Sequence, residues 1–401
     1  MAKIAKKPKT IQLENRDDEF EDIDQKESEY DLKISGKDFE DIVVAPSDWT
    51  LGSLIGLIGK QIKLDPEFQR RGVWSEKAKI KFIESLFLNV PIPQILLAPR
   101  KEDKNSYLIL DGKQRLLTIK EFSDGQFESG RPFALKGLRL LKELEDKTWR
   151  EIRASSAWEN RFLNQTQRAA VLKAWKKEDV LYEIFHRLNS GSVGLSPMEL
   201  RMSLHRGEFL RFLIQWSETV RELHHLLRLS RPDKRMSDVE LALRFLAFAD
   251  KRTTYKGNLK VFLDDATLLF NREFRKQVEQ ARIETTLKNM EAGITAAMSI
   301  FEPRTVCRKW KDGDYESRFN RAVFDVVIGS LANARVRSWA LSNKGEFEKL
   351  FVATCRKDRE FVSALETTTK STEAVRKRFS TWYSAINKAS RVKLELPYIS
   401  E

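Results

Sequence analysis

Asp111-Gly112-Lys113-Gln114-Arg115 gathers an acid, a glycine, an amide and two cations within five residues. If a strand ends at Asp-Gly and a helix begins, the turn is an anion site. The first N–H groups of a helix have no internal partners, and the aligned peptide dipoles give that end about half a unit of positive charge. Gly112 lets a ligand approach the backbone. Arg115 could fork onto phosphate oxygens, and Lys113 adds a point charge. Asp111 could hold a magnesium ion or orient a water. The same residues also read as an ordinary turn, with Asp111 as a cap and Arg115 on the surface.

Two other clusters have the look of ligand loops: Glu67-Phe68-Gln69-Arg70-Arg71, and His186-Arg187-Leu188-Asn189-Ser190-Gly191-Ser192. Each alone reads equally well as surface. Asp111-x-Lys113 with Asp103 superficially matches a metal nuclease. However, Asp103 falls in the turn at the far end of the strand, roughly 20 Å off at ~3.3 Å per residue. In the later half, Trp310, Trp339 and Trp382 stand among basic residues. There Arg376, Lys377 and Arg378 are the candidate DNA contacts; the competing reading puts the tryptophans in the core. Gly59-Lys60 is not a Walker loop, since Leu54 stands six before the lysine and Gln61 follows it. His205, His224 and His225 lack metalloprotease spacing and read as structural.

The elements that would position the motif follow from apolar spacing and stop signals. Ser47 to Leu54, with cap residues before apolar positions, predicts a short helix. Ser75 caps a helix whose Ile80, Ile83, Leu86 and Phe87 share a face. Asn89-Val90-Pro91-Ile92-Pro93 ends it. Gln94–Ala98 and Tyr107–Leu110 predict a strand pair, and Leu116, Leu117, Ile119 and Phe122 a helix directly after Gly112. Arg168–Trp175 predicts a further strand. Ser196-Pro197 restarts a helix, and nearly everything from there to Lys388 reads helical.

The formal charge is +13. Residues 1–45 hold thirteen acidic and eight basic residues, leaving +18 on the rest. A body so cationic concentrates polyanions, and nucleic acid is the usual one. Residues 1–45 read as a disordered charged arm, 46–192 as a mixed domain and 193–401 as a helical one. Two cysteines exclude a disulfide framework. There is no signal peptide and no apolar run near the roughly 20 residues that a membrane helix needs. The expectation is a cytoplasmic, α+β protein.

Phe68-Gln69-Arg70-Arg71 with Trp74-Ser75, Ile92-Pro93, the 111–115 turn with Leu116, Phe185 to Gly191, and Glu199-Leu200-Arg201 together resemble the domain of unknown function 262 family. Its best-known members are the N-terminal domains of GmrSD-type restriction endonucleases. The order and spacing match across residues 47 to about 210, and Phe319 to Asp325 looks like the family's helical extension. The resemblance implies a ParB/sulfiredoxin-like fold with a nucleotide site at the Asp-Gly-x-Gln-Arg turn, nucleotide hydrolysis, and action on modified phage DNA. By position, Asp111, Gln114 and Arg115 are the catalytic candidates, Arg70, Arg71, Gly112, Lys113, Arg115 and Asn189 would bind nucleotide, and Asp111 would take the metal. The implied cofactors are a nucleoside triphosphate and Mg2+.

Three positions depart from the family pattern: Lys113 replaces a glutamine, and Ser190 and Ser192 replace Thr and Gly. GmrSD architecture also includes an HNH nuclease, whose chemistry needs histidine, and the last histidine here is His225. Cutting by that route is expected from a partner nuclease, with a DNA-modification protein as another expected partner; an oligomer is compatible with this. Three readings stay open: a nucleotide-driven DNA-directed switch, a nuclease in its own right, and a non-catalytic DNA-binding adaptor.

Overall fold

The computed structural model describes residues 32, 34–62, 64, 74–101, 103, 105–189, 196–366 and 370–400. The front region is built on one mixed four-stranded sheet. Its strands are β1 (Val43–Thr50), β2 (Ile95–Pro99), β3 (Tyr107–Asp111) and β4 (Thr166–Lys173), in the order β1-β4-β2-β3. β1 and β4 are antiparallel, β4 and β2 parallel, and β2 and β3 antiparallel.

β2, β3 and the centre of β4 are almost continuously apolar because both faces are covered. Ile95, Leu97, Ile109, Ala169 and Val171 face one core. It is shared with α1 (Leu51–Leu57), α2 (Glu76–Phe87), α3 (Lys113–Asp124), α4 (Trp149–Ile152) and α5 (Ser156–Leu163). Leu96, Ala98, Leu108, Leu110, Ala170 and Leu172 face the other side. There they meet Leu181 and Phe185 of α6 (Glu178–Asn189) and Leu200 of α7 (Pro197–Leu204). Residue parity thus decides which core each strand residue enters.

The helix expected over 47–54 is corrected. Val43–Thr50 is a strand, and the helix begins only at Leu51, where Thr50 caps it by accepting from the Ser53 amide. β1 pairs with β4 alone, so it is an edge strand, which tolerates Pro46. Ser47 and Asp48 look like cap residues, but their backbone is committed to a partner strand over a hundred positions later. Ordered structure also starts earlier than Pro46, with a short 3-10 turn at Gly36–Phe39.

The rest is largely helical: α8 (Glu208–Ser217), α9 (Glu222–Leu226), α10 (Ser237–Ala249), α11 (Leu259–Glu273), α12 (Gln277–Ile300), α13 (Arg321–Ala332), α14 (Ala334–Ser342), α15 (Lys344–Lys357), α16 (Arg359–Glu366) and α17 (Thr372–Ser390). A two-strand hairpin, β5 (Trp310–Lys311) and β6 (Asp314–Tyr315), interrupts them. α10 and α13 are buried on nearly every side and form the centre of a single core. Cys307 and Cys355 are both buried free thiols. No helix among the described residues is long and apolar enough to cross a membrane.

Candidate functional site

The expected strand, turn and helix are present. β3 ends at Asp111, Gly112 follows with φ 90°, and α3 starts at Lys113. Glycine is required here twice over. The left-handed φ disfavours any other residue, and a Cβ on Gly112 would lie 2.5 Å from Ile95 Cγ2. The turn therefore packs flat against the first residue of β2. The first bond closing α3 runs from the Leu116 amide to the Gly112 carbonyl at 3.1 Å. This leaves the amides of Lys113, Gln114 and Arg115 without intrahelical acceptors. Elsewhere Thr50, Ser75, Ser196, Asn258, Asn320 and Ser371 cap their helices with side-chain oxygens, whereas Gly112 has none to offer.

Arg115 turns back toward the protein. Its Nη2 donates to Asp111 Oδ2 at 2.6 Å, and its Nη1 donates to the Pro93 carbonyl and, at 3.3 Å, to the Gln94 carbonyl. With its side chain 11% exposed, it staples the entry of β2 to the exit of β3. The fork that the sequence offers to phosphate is thus engaged by protein oxygens, and one oxygen of Asp111 is engaged with it.

The Pro93 carbonyl accepts a second donor, Nε2 of Gln167, at 3.0 Å. Gln167 lies on β4, is 1% exposed, and also donates to the Arg168 carbonyl at 3.0 Å. Its Oε1, like Oε1 of Gln114, is buried without a donor among the described residues. Sequence reasoning passed over Gln167. The available signal was a polar residue in phase with the inward-facing Ala169 and Val171.

Residues 51–206 match the family described as GmrSD restriction endonuclease, N-terminal domain. This segment is a GmrSD N-terminal domain. The domain type is described from restriction endonucleases, and the matched stretch spans the 111–115 turn and Gln167. No curated protein and no solved structure matches the chain.

Of the other residues expected at the GmrSD turn, Arg70 and Arg71 lie outside the described residues, as does the side chain of Asn189; Asn189 itself closes α6. Among the described residues no group of three His, Cys, Asp or Glu could hold a metal ion. Asp103 sits in the turn before β3, with its backbone carbonyl accepting from Ser106.

Of the basic trio of α17, Arg378 requires correction. Arg378 is 1% exposed and donates to Asp325 Oδ2 at 3.0 Å. Asp325 also takes Nε and Nη2 of Arg244 at 2.7 and 2.6 Å. Burial, reinforced by the like charge of Arg244, pushes Arg378 down to about 10, so it is still a cation at neutral pH. A guanidinium sealed in the core cannot reach DNA. Lys377 is paired with Asp358 at 3.0 Å and Glu360 at 2.8 Å, and Arg376 donates to the Ser400 carbonyl at 2.6 Å. Trp382 is fully buried, with Nε1 on Ser330 Oγ at 3.1 Å, while Trp310 and Trp339 pack against the same core.

The GmrSD domain meets the helices beyond it through buried charge. Arg201 of α7, fully buried, donates to Asp264 Oδ1 of α11 at 2.7 Å. Lys260 reaches Asp264 at 2.8 Å and Asp179 of α6 at 2.7 Å. His205 Nε2 stands 3.5 Å from Asp264. Burial opposes ionisation of Asp264, but Arg201, His205 and Lys260 outweigh it and hold the carboxyl far below the usual carboxylate range.

Proposed function

We propose that this protein is a nucleotide-binding, DNA-directed component of a modification-dependent restriction system, with its nucleotide site at the 111–115 turn. In this reading the phosphates accept hydrogen bonds from the backbone amides of Lys113, Gln114 and Arg115, and Lys113 adds charge. Arg115 is a positioning residue. It holds the turn in shape through Pro93, Gln94 and Asp111, so the amides converge without reorganisation. Gln114 and Gln167 offer amide oxygens to a donor on the ligand.

One observation carries the reading: an uncapped helix start, flattened on Ile95, whose Arg115 shares the Pro93 carbonyl with Gln167, a residue with a buried and unpartnered Oε1. A buried acceptor without a donor costs roughly 1–3 kcal/mol. A ligand amino group, a ribose hydroxyl or an ordered water would remove that cost. In this reading Mg2+ arrives with the bound nucleotide, and Asp111 stands beside it.

The mixed sheet with its Asp-Gly turn supports a ParB/sulfiredoxin-like reading of residues 46–192. Residues 193–401 would then be the helical domain that responds, and hydrolysis would reset it. A separate nuclease or DNA-modification protein would act with it. The test is calorimetric titration of the full chain with ATP and GTP in the presence of Mg2+, for wild type and Lys113→Ala. A charge-assisted contact is worth about 1.5–3 kcal/mol, so the variant should bind at least about tenfold more weakly. Equal affinity, or no binding by wild type, contradicts the assignment.

A further inference from the structure

The loop joining α9 to α10 reads Arg228-Leu-Ser-Arg231-Pro-Asp233-Lys234-Arg235, four cations against one carboxylate. Arg228, Arg231 and Arg235 are exposed and Lys234 is partly so. Arg228 donates to the Pro303 carbonyl at 3.2 Å, which brings exposed Arg304 alongside. The Asp233 carboxylate accepts from the Ser237 amide at 2.7 Å. Among the described residues, Arg231, Lys234, Arg235 and Arg304 make no hydrogen bond or ion pair. Other surface cations are held by carboxylates, as Lys377 is by Asp358 and Glu360, and Lys176 by Asp41, and where they are not, as at Lys136, Lys147 and Arg150, they do not share one short loop.

The loop is built rather than loose. Asp238, fully buried, receives the Asp233 amide at 3.3 Å and the Val239 amide at 2.9 Å, and its Oδ2 lies 2.9 Å from Nε2 of buried His224. Arg228 and Met236 bracket the loop in left-handed conformations, with φ 56° and 60°. Leu226, Leu227 and Met236 anchor it in the helical core. A fixed cluster of like charges repels itself until a polyanion arrives, and a preformed surface loses little entropy on binding.

We propose that this loop, together with Arg304, is the contact surface for the phosphate backbone of duplex DNA. The assignment rests on the DNA-directed part of the function proposed above. Duplex is favoured over single strands because residues 228–235 contain no aromatic side chain on which an unpaired base could stack. Contacts from these side chains to phosphate fix position without carrying sequence information.

The experiment is duplex binding by fluorescence anisotropy across a salt series, comparing the full-length wild type with the Arg231→Gln/Lys234→Gln/Arg235→Gln variant. A second triple at exposed Lys136, Lys147 and Arg150 controls for net charge. Each neutralised phosphate contributes about 0.9 to the slope of log K against log salt. The loop variant should therefore lose about 2 to 3 in slope while nucleotide affinity and the control triple stay at wild-type values. Wild-type binding with an unchanged slope in the loop variant, or an equal loss in the control triple, overturns this surface and leaves DNA-directed function standing. Absence of duplex binding by wild type at low salt overturns both. Preference for single-stranded RNA over duplex DNA, lost in the loop variant, assigns the loop to a different partner and also overturns the proposal.

Discussion

Nη2 of Arg115 lies 2.6 Å from Oδ2 of Asp111, four residues back across the left-handed Gly112. The pair closes the turn from the inside, while the other guanidinium nitrogen holds the carbonyls of Pro93 and Gln94. Arg115→Ala strips donors from three acceptors at once and should destabilise the fold by about 2–3 kcal/mol, given charged hydrogen bonds of about 1.5–3 kcal/mol each and partial rehydration of the acceptors. Arg115→Lys should recover little, because one ammonium cannot span the same fork. Urea unfolding of the two variants measures this; wild-type midpoints would contradict the stapling role.

Gly112→Ala combines a left-handed conformation with a methyl 2.5 Å from Ile95 Cγ2. The conformation costs about 1–2 kcal/mol, and overpacking against a fully buried Ile95 about 1–3 kcal/mol more. The expected outcome in denaturant is a loss of about 2–5 kcal/mol with the cooperative transition retained. A loss below about 1 kcal/mol would mean that the turn relaxes freely and is not held against β2.

Asp264 yields a pH-dependent prediction. Its carboxyl is held below the ordinary value in the fold, whereas in the unfolded chain it titrates near 3.9. The unfolded state therefore takes up the proton first as pH falls. The contribution is whole above about pH 4, declines below it, and disappears only beneath the folded value. Asp264→Asn leaves Arg201 buried without its counter-charge and Lys260 with Asp179 alone, and should cost about 3–5 kcal/mol at pH 7. The gap between wild type and variant should narrow between about pH 4 and pH 2.5. A gap that stays constant over that range would show that the ionised carboxylate is not what Arg201 and Lys260 stabilise.

The turn was legible because its causes are local. Pro91 and Pro93 end a helix, Tyr107–Leu110 alternates into two cores, and Gly112 stands where strand gives way to helix. The strand at 43–50 was not legible, since β1 exists only by pairing with β4, and Ser47-Asp48-Trp49 taken alone resembles a helix start. The same limit hid Arg378. Nothing near 376–378 reveals Asp325, 53 positions earlier, which draws that arginine into the core. Gln167 was obscured for a related reason, because its partner carbonyl belongs to Pro93, 74 positions away. The family resemblance reached further than periodicity did, because five short motifs in one order constrain a fold that no single motif does.

Hydrogen exchange of the backbone amides of Lys113, Gln114 and Arg115, resolved by NMR with and without saturating nucleoside triphosphate and Mg2+, tests the central claim most directly. The account predicts slowed exchange at these three amides on nucleotide addition, with the amides of residues 228–235 unchanged. Nucleotide bound by calorimetry while those three amides exchange at the ligand-free rate would place the site elsewhere and contradict the account.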